Sequence, residues 1–336
     1  MKTTIINRNQ ENVLLACEID FCLQYLIAKT NYIASKTAQK GAAQEPDYIA
    51  LLSLCFPHHL ATILKSHTSL FQNCSVTGVF CHQKPKASIN VNAPDFNNLF
   101  SSWGASQSWR TPQPQFSNPE FGDLLLVYVE HPSNGSIPKI NSLLLQAKKV
   151  VSFEKKVPKS ERHQLFLYTK WPTFSYDSAG RLNGQSRDIH PKAIHSGAEY
   201  LLIGKESMKC AVPDFHLYGD KTLSDEIVDL LRFRAGRTID VHNALSSDDW
   251  SKLIWDLLSI CKNVTANRSN IGLNDFPRYV EDIVQGGNML DFTEDAAWTS
   301  SSEQPPSIFN GIDSAEGNNE ISGVSAIIIE NHIENM

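Results

Sequence analysis

Apolar residues recur at helical spacing over residues 11–36, where Val13, Leu14, Phe21, Leu23, Leu26 and Ile27 build a broad apolar face with few breakers, so a long first helix is expected. A polar connection at 37–46 precedes a second helix over 47–64, bent or stopped near Pro57. Residues 74–89 alternate with β-branched and aromatic side chains and read as a strand. Residues 101–119, rich in Ser, Gln and Pro and holding Trp103 and Trp109, read as a long loop.

The pattern then becomes denser. An apolar strand at 123–129, approached through Gly122, is followed by a turn with Pro132, Asn134, Gly135 and Pro138, and by a second strand at 142–148. About a dozen residues separate the two, which suits an antiparallel hairpin with an extended loop. A helix over 159–170 ends at Trp171-Pro172, because a proline disfavours helix at the residue before it. Residues 173–197 read as a loop and 198–204 as a short buried strand. Two amphipathic helices are expected at 225–233 and 248–261, with Ser224 and Ser247 as N-caps. A polar, acidic loop at 299–323 leads to a final strand at 324–329 that returns to a sheet.

Composition agrees with a folded chain. Of 336 residues 41% are hydrophobic and 20% charged, which excludes global disorder. No apolar run approaches the roughly 18–20 residues of a membrane span, and the N-terminus lacks a signal-peptide pattern, so a soluble, cytoplasmic protein is expected. Seven cysteines without a C-x-x-C pair point to reduced, buried thiols rather than to disulfides or zinc. The net charge of −6 conceals a division. No Lys or Arg follows Arg278, and eleven acids lie in 281–336, so the first 280 residues carry +5. Residues 139–170 alone carry eight bases against Glu154 and Glu161, a surface that could match a polyanion.

Phosphodiester cleavage needs a hard divalent cation on oxygen ligands and a cation that positions the attacking water. Two neighbouring strands can supply both. On the second strand Gln146 and Lys148 share a face through period-two alternation, and Asp123 lies 23 residues upstream at the mouth of the first. Polar groups in such leucine-rich strands are costly unless partnered. With this order of elements the sequence resembles the PD-(D/E)XK nuclease superfamily: Asp123 stands for its metal-binding acid and Gln146-Ala147-Lys148 for its E/Q-x-K element. The helix residues Gln164 to Tyr168 look like the Q-x-x-x-Y motif of its RecB-like branch, whose Gln and Tyr support the site and touch DNA.

The resemblance covers roughly residues 75–204 and implies a restriction-endonuclease-like α/β core, a central mixed sheet flanked by helices, with N-terminal helices and a helical, acidic C-terminal part. The expected divisions are 1–74, a core at 75–220, a helical region at 221–298, the loop at 299–323 and the strand at 324–336. It further implies a Mg²⁺- or Mn²⁺-dependent nuclease, acting on DNA in repair or in defence against foreign DNA. Asp123, Gln146 and Lys148 would be catalytic. Because Gln146 replaces the usual Glu, a further acid is expected, with Glu120 and Glu18 as candidate metal ligands and His82 as a candidate histidine. Gln164, Tyr168, Lys149, Arg162 and Lys170 would support the site or hold nucleic acid. The rival is a non-catalytic, nuclease-shaped binding or scaffold protein, whose acidic C-terminal region mimics DNA, meets a protein partner or joins copies of the chain.

Overall fold

The structure, a computed structural model of the chain, describes residues 8–36, 42–67, 69–81, 85–90, 116–241, 248–266, 298–302, 306–311 and 323–333. Three helices open it: α1 (Arg8–Lys36), α2 (Glu45–Leu54) and α3 (Phe56–His67). The break expected near Pro57 falls at Cys55, which places the proline in the first turn of α3, where its missing N–H costs nothing. Next come β1 (Cys74–Val79), β2 (Lys86–Asn90), β3 (Phe116–Ser117), β4 (Leu124–His131), β5 (Lys139–Lys149) and β6 (Glu154–Lys156). A single 3-10 turn at Lys159–Glu161 leads into α4 (Arg162–Lys170), followed by β7 (Phe174–Asp177), β8 (Ser186–Arg187), β9 (Ala198–Ile203), β10 (Met208–Ala211), β11 (His216–Tyr218) and β12 (Lys221–Thr222). The remaining elements are α5 (Leu223–Leu231), β13 (Arg237–Ile239), α6 (Asp249–Ala266), β14 (Trp298–Ser300) and β15 (Ser325–His332).

The central sheet runs β12-β10-β9-β5-β4-β15-β1-β14, with β13 added along β5. It is mixed: β15 lies parallel to β4 and β9 parallel to β5, while the other pairings are antiparallel. Leucine on both faces of β4 and β5 forces cover on both sides. Helices α1, α2, α3 and α5 bury one face with Leu124, Leu126, Leu143 and Leu145. Helices α4 and α6 and a small sheet, β3-β2-β7-β8, cover the other with Leu125, Val127, Leu144 and Leu202. The protein is therefore α/β, a mixed sheet between helical layers.

Several sequence expectations are corrected. The stretch 74–89 is not one strand but β1 and β2 in different sheets; Pro85, with no N–H for a ladder, sits at the break. The expected loop at 173–197 contains β7 and β8, where Phe174 and Tyr176 point inward and Ser175 and Asp177 outward. The hairpin connection between β4 and β5 is shorter than read, residues 132–138. Thr222, not Ser224, caps α5, its Oγ1 accepting from the Asp225 N–H at 3.1 Å. At α6 the Asp248 carboxylate accepts from the N–H groups of Trp250 and Ser251, while Ser247 lies outside the described residues. Of the helical region expected at 221–298, α5 packs on the sheet and β13 extends it, while 242–247 and 267–297 lie outside the described residues. Trp298–Ser300 pairs with β1 as a strand, so β14 intrudes on the segment read as loop. Cys17 is exposed and Cys55 half-buried, while the other five thiols are buried. Trp103, Trp109 and most of the acidic C-terminal region lie outside the described residues. Among the described residues no single helix is long and apolar enough to cross a membrane.

Candidate functional site

The register of β4 on β5 sets Leu124 opposite Leu145, so Asp123 stands across from Gln146 just where the ladder opens. The Asp123 N–H donates to the Leu145 carbonyl at 2.8 Å. In return Asp123 Oδ2 accepts from the Ala147 N–H at 2.6 Å and from Gln146 Nε2. One carboxylate oxygen thus gathers two donors from β5, and both side chains are deeply buried, 2% and 4% exposed. Gln146 lies in line with Leu144 and Asp123 with Leu125, which puts both on the face beneath α4. Lys148, two residues on, shares that face and reaches Glu161 Oε2 at 3.2 Å.

Glu161 went unassigned in the sequence, where it counted only as an acid diluting a basic stretch. It is the N-cap residue of α4, where a carboxylate is favoured by the helix dipole, and it also pairs with Lys155 at 3.8 Å. Its sequence signal was its position three residues before Gln164, one helical turn away. Burial holds the His163 imidazole below its ordinary pKa of 6.5; nearby Glu161 raises it and Lys148 lowers it. The beginning of α4 is thereby tied to the end of β5 by alternating charges.

Gln164 and Tyr168 do share a helical face, but neither is placed to touch DNA. Tyr168 is fully buried, its hydroxyl donating to the Phe121 carbonyl at 2.6 Å and its ring lying against Trp171 and Tyr200. Burial drives its phenol well above the usual 10, with Tyr200 and Glu120 adding to the effect. Its part is to fix the chain two residues before Asp123. Gly122 belongs to the same contact, since a Cβ there would stand 2.8 Å from Leu144 Cδ1 and 3.0 Å from the Tyr168 hydroxyl. Tyr168→Phe is expected to lower stability by about 1–3 kcal/mol, because the Phe121 carbonyl would be left buried without its donor; a denaturant midpoint measures this.

The buried polar atoms without a hydrogen-bond partner in this layer include Gln146 Oε1, Gln164 Nε2, the Tyr200 hydroxyl and Trp171 Nε1. Tyr200 stands directly beside Gln146 in the β5–β9 register, which sequence reasoning did not register. An orphaned buried polar atom costs about 1–3 kcal/mol, and two of them, Gln146 Oε1 and the Tyr200 hydroxyl, belong to residues paired across β5 and β9.

The other expected site residues disperse. Glu120 is half-buried near the Tyr168 phenol, with its backbone bridged to Lys86. Glu18 is a correction: α1 covers the opposite face of the sheet, and Glu18 is more than half exposed and paired with His67 at 3.7 Å. Lys149 is another, because odd positions of β5 turn away from Gln146; its Nζ donates to the Ala43 carbonyl beside α2. Arg162 lies 5.3 Å over the Phe215 ring, shared with Lys156 at 5.1 Å. Lys170, at the far end of α4, lines a cavity of about 630 Å³ with Ile194, Val212, His216 and Tyr218. His82 lies outside the described residues. The basic stretch is therefore divided: Lys148, Lys155 and Arg162 lie at the α4 N-terminus, whereas Lys139 pairs with Glu130 at the other end of β5.

No family model, no curated protein and no solved structure matches this chain.

Proposed function

We propose that the chain is a metal-dependent nuclease that hydrolyses phosphodiester bonds of DNA. The observation carrying this reading is that Asp123, Gln146 and Lys148 stand on one face of adjoining strands, beside an unpartnered Gln146 Oε1. Asp123 and Gln146 Oε1 would hold Mg²⁺ or Mn²⁺, hard cations that take oxygen ligands. Such an ion supplies Lewis acidity and acidifies a bound water. Lys148, braced by Glu161, orients the water and offsets negative charge growing on the phosphate. Lys155, Lys159 and Arg162 offer phosphate contacts where α4 begins.

A second reading is a protein of the same shape that binds nucleic acid without cutting it. It is favoured by the uncharged Gln146 and by the fact that, among the described residues, no three His, Cys, Asp or Glu side chains form a metal-holding group. The full chain should cut plasmid or linear DNA with Mg²⁺ or Mn²⁺ and not with chelator, and Lys148→Ala should slow cutting at least about a hundredfold. Binding without cutting, indifferent to Lys148→Ala, would establish the second reading instead.

A further inference from the structure

Large apolar side chains are expected inside, yet α1 carries several on the side that faces solvent, among polar residues such as Gln10 and Gln24. Its inner side, including Leu15, Ile19, Leu23, Leu26 and Ile27, is sealed against α2, α3 and α5. Its outer side presents Leu14, Glu18, Phe21, Tyr25, Ala28 and Tyr32, all exposed. These positions alternate steps of four and three residues, the spacing of a coiled-coil seam. Phe21, Tyr25 and Tyr32 are 75%, 54% and 62% exposed. At about 200 Å² per aromatic side chain the three rings leave about 400 Å² in water, before Val13 and Leu14 are counted. That is half of the roughly 800 Å² each partner buries in a standard interface, from three side chains alone.

We propose that two copies of this chain associate through α1, with the two helices antiparallel. The arrangement follows from the seam and its charges. Centred between Phe21 and Tyr25, an antiparallel pairing sets Phe21 against the second copy's Tyr25 and Leu14 against its Tyr32. The same register brings Glu18, more than half exposed beside its own chain's His67, next to Ala28 and Lys29 of the other copy, giving two symmetric opposite-charge contacts. A parallel pairing would instead oppose Glu18 to Glu18 on the two-fold axis, at a cost. The α1 layer is on the far side of the sheet from Asp123, so association leaves the candidate site uncovered and the inference stands apart from the nuclease reading.

Light scattering on the full chain at tens of micromolar should give a dimer, and Phe21→Glu with Tyr25→Glu should weaken it more than about a hundredfold. Both side chains lie outside the core, and circular dichroism checks the fold. A zero-length carbodiimide cross-link tests orientation without any substitution. Glu18 and Lys29 are about 16 Å apart along one helix, so a Glu18–Lys29 link can form only between copies. A monomeric wild type, a dimer indifferent to the double substitution, or a Cys17–Cys17 disulfide across the seam in place of the Glu18–Lys29 link would overturn the proposal.

Discussion

Asp123→Ala should lose DNA cleavage by at least about a hundredfold and also lower stability by about 2–4 kcal/mol, whereas Asp123→Asn should lose the cleavage but little of the stability. The split follows from one oxygen. Both β5 donors, the Ala147 N–H and Gln146 Nε2, converge on Asp123 Oδ2, in a site almost closed to water. Alanine strands two buried donors at once. An asparagine carbonyl placed at the same point accepts both, yet it carries no charge with which to hold a divalent cation. Equilibrium unfolding in urea and cleavage rates of the two variants measure the two halves separately. Equal loss of stability in both would mean that the charge itself holds the strands, and retained cleavage in Asp123→Asn would remove Asp123 from the chemistry.

Stability should fall as pH rises from about 5 to about 8, and Glu199→Gln should abolish most of that slope. Glu199 on β9 faces α5, and burial pushes its carboxyl up from 4.5 to about 8, with Glu226 adding repulsion, Lys221 opposing it and Asp220 adding a little. Glu226 is raised as well, again first by burial, although Lys221 Nζ sits 2.6 Å from it and 2.6 Å from Asp229. An acid whose folded pKa lies above its unfolded value holds its proton more tightly when folded. Its contribution is complete below the unfolded value near 4.5 and is lost as pH climbs through the folded value near 8. Because two carboxyls share Lys221, the change should be a few kcal/mol at most. His195, enclosed by Trp171 and Trp250, is lowered by burial to about 4 and acts in the opposite sense, losing stability as pH falls below 6.5. Comparing Glu199→Gln with wild type at pH 5 and pH 8 by thermal melting separates the two. Parallel curves would show that Glu199 ionises normally.

Local pattern carried the long elements. The run of leucines at 124–126 and 143–145 could be satisfied only by a sheet covered on both faces, and the final strand, read at 324–329 and found at 325–332, announced itself by a similar density of branched apolar residues. Alternation also carried Gln146 and Lys148 to a common face, since that depends on nothing beyond the pleat of one strand. Short elements failed. β7 and β8 are too brief to show a period; β7 is placed by pairing with β2, far away in sequence, and β8 by pairing with β7.

What the sequence by itself determined, then, is the set of long strands and helices and the polar positions that interrupt them, because hydrophobic periodicity is a property of neighbours along the chain. Only the tertiary structure decided which polar groups meet. It placed Glu161 on Lys148 and Tyr200 beside Gln146, and sent Glu18 and Lys149 to the other side of the sheet. Those outcomes depend on strand register and on which face each helix covers, and both are fixed by packing between segments from about a dozen to more than a hundred residues apart.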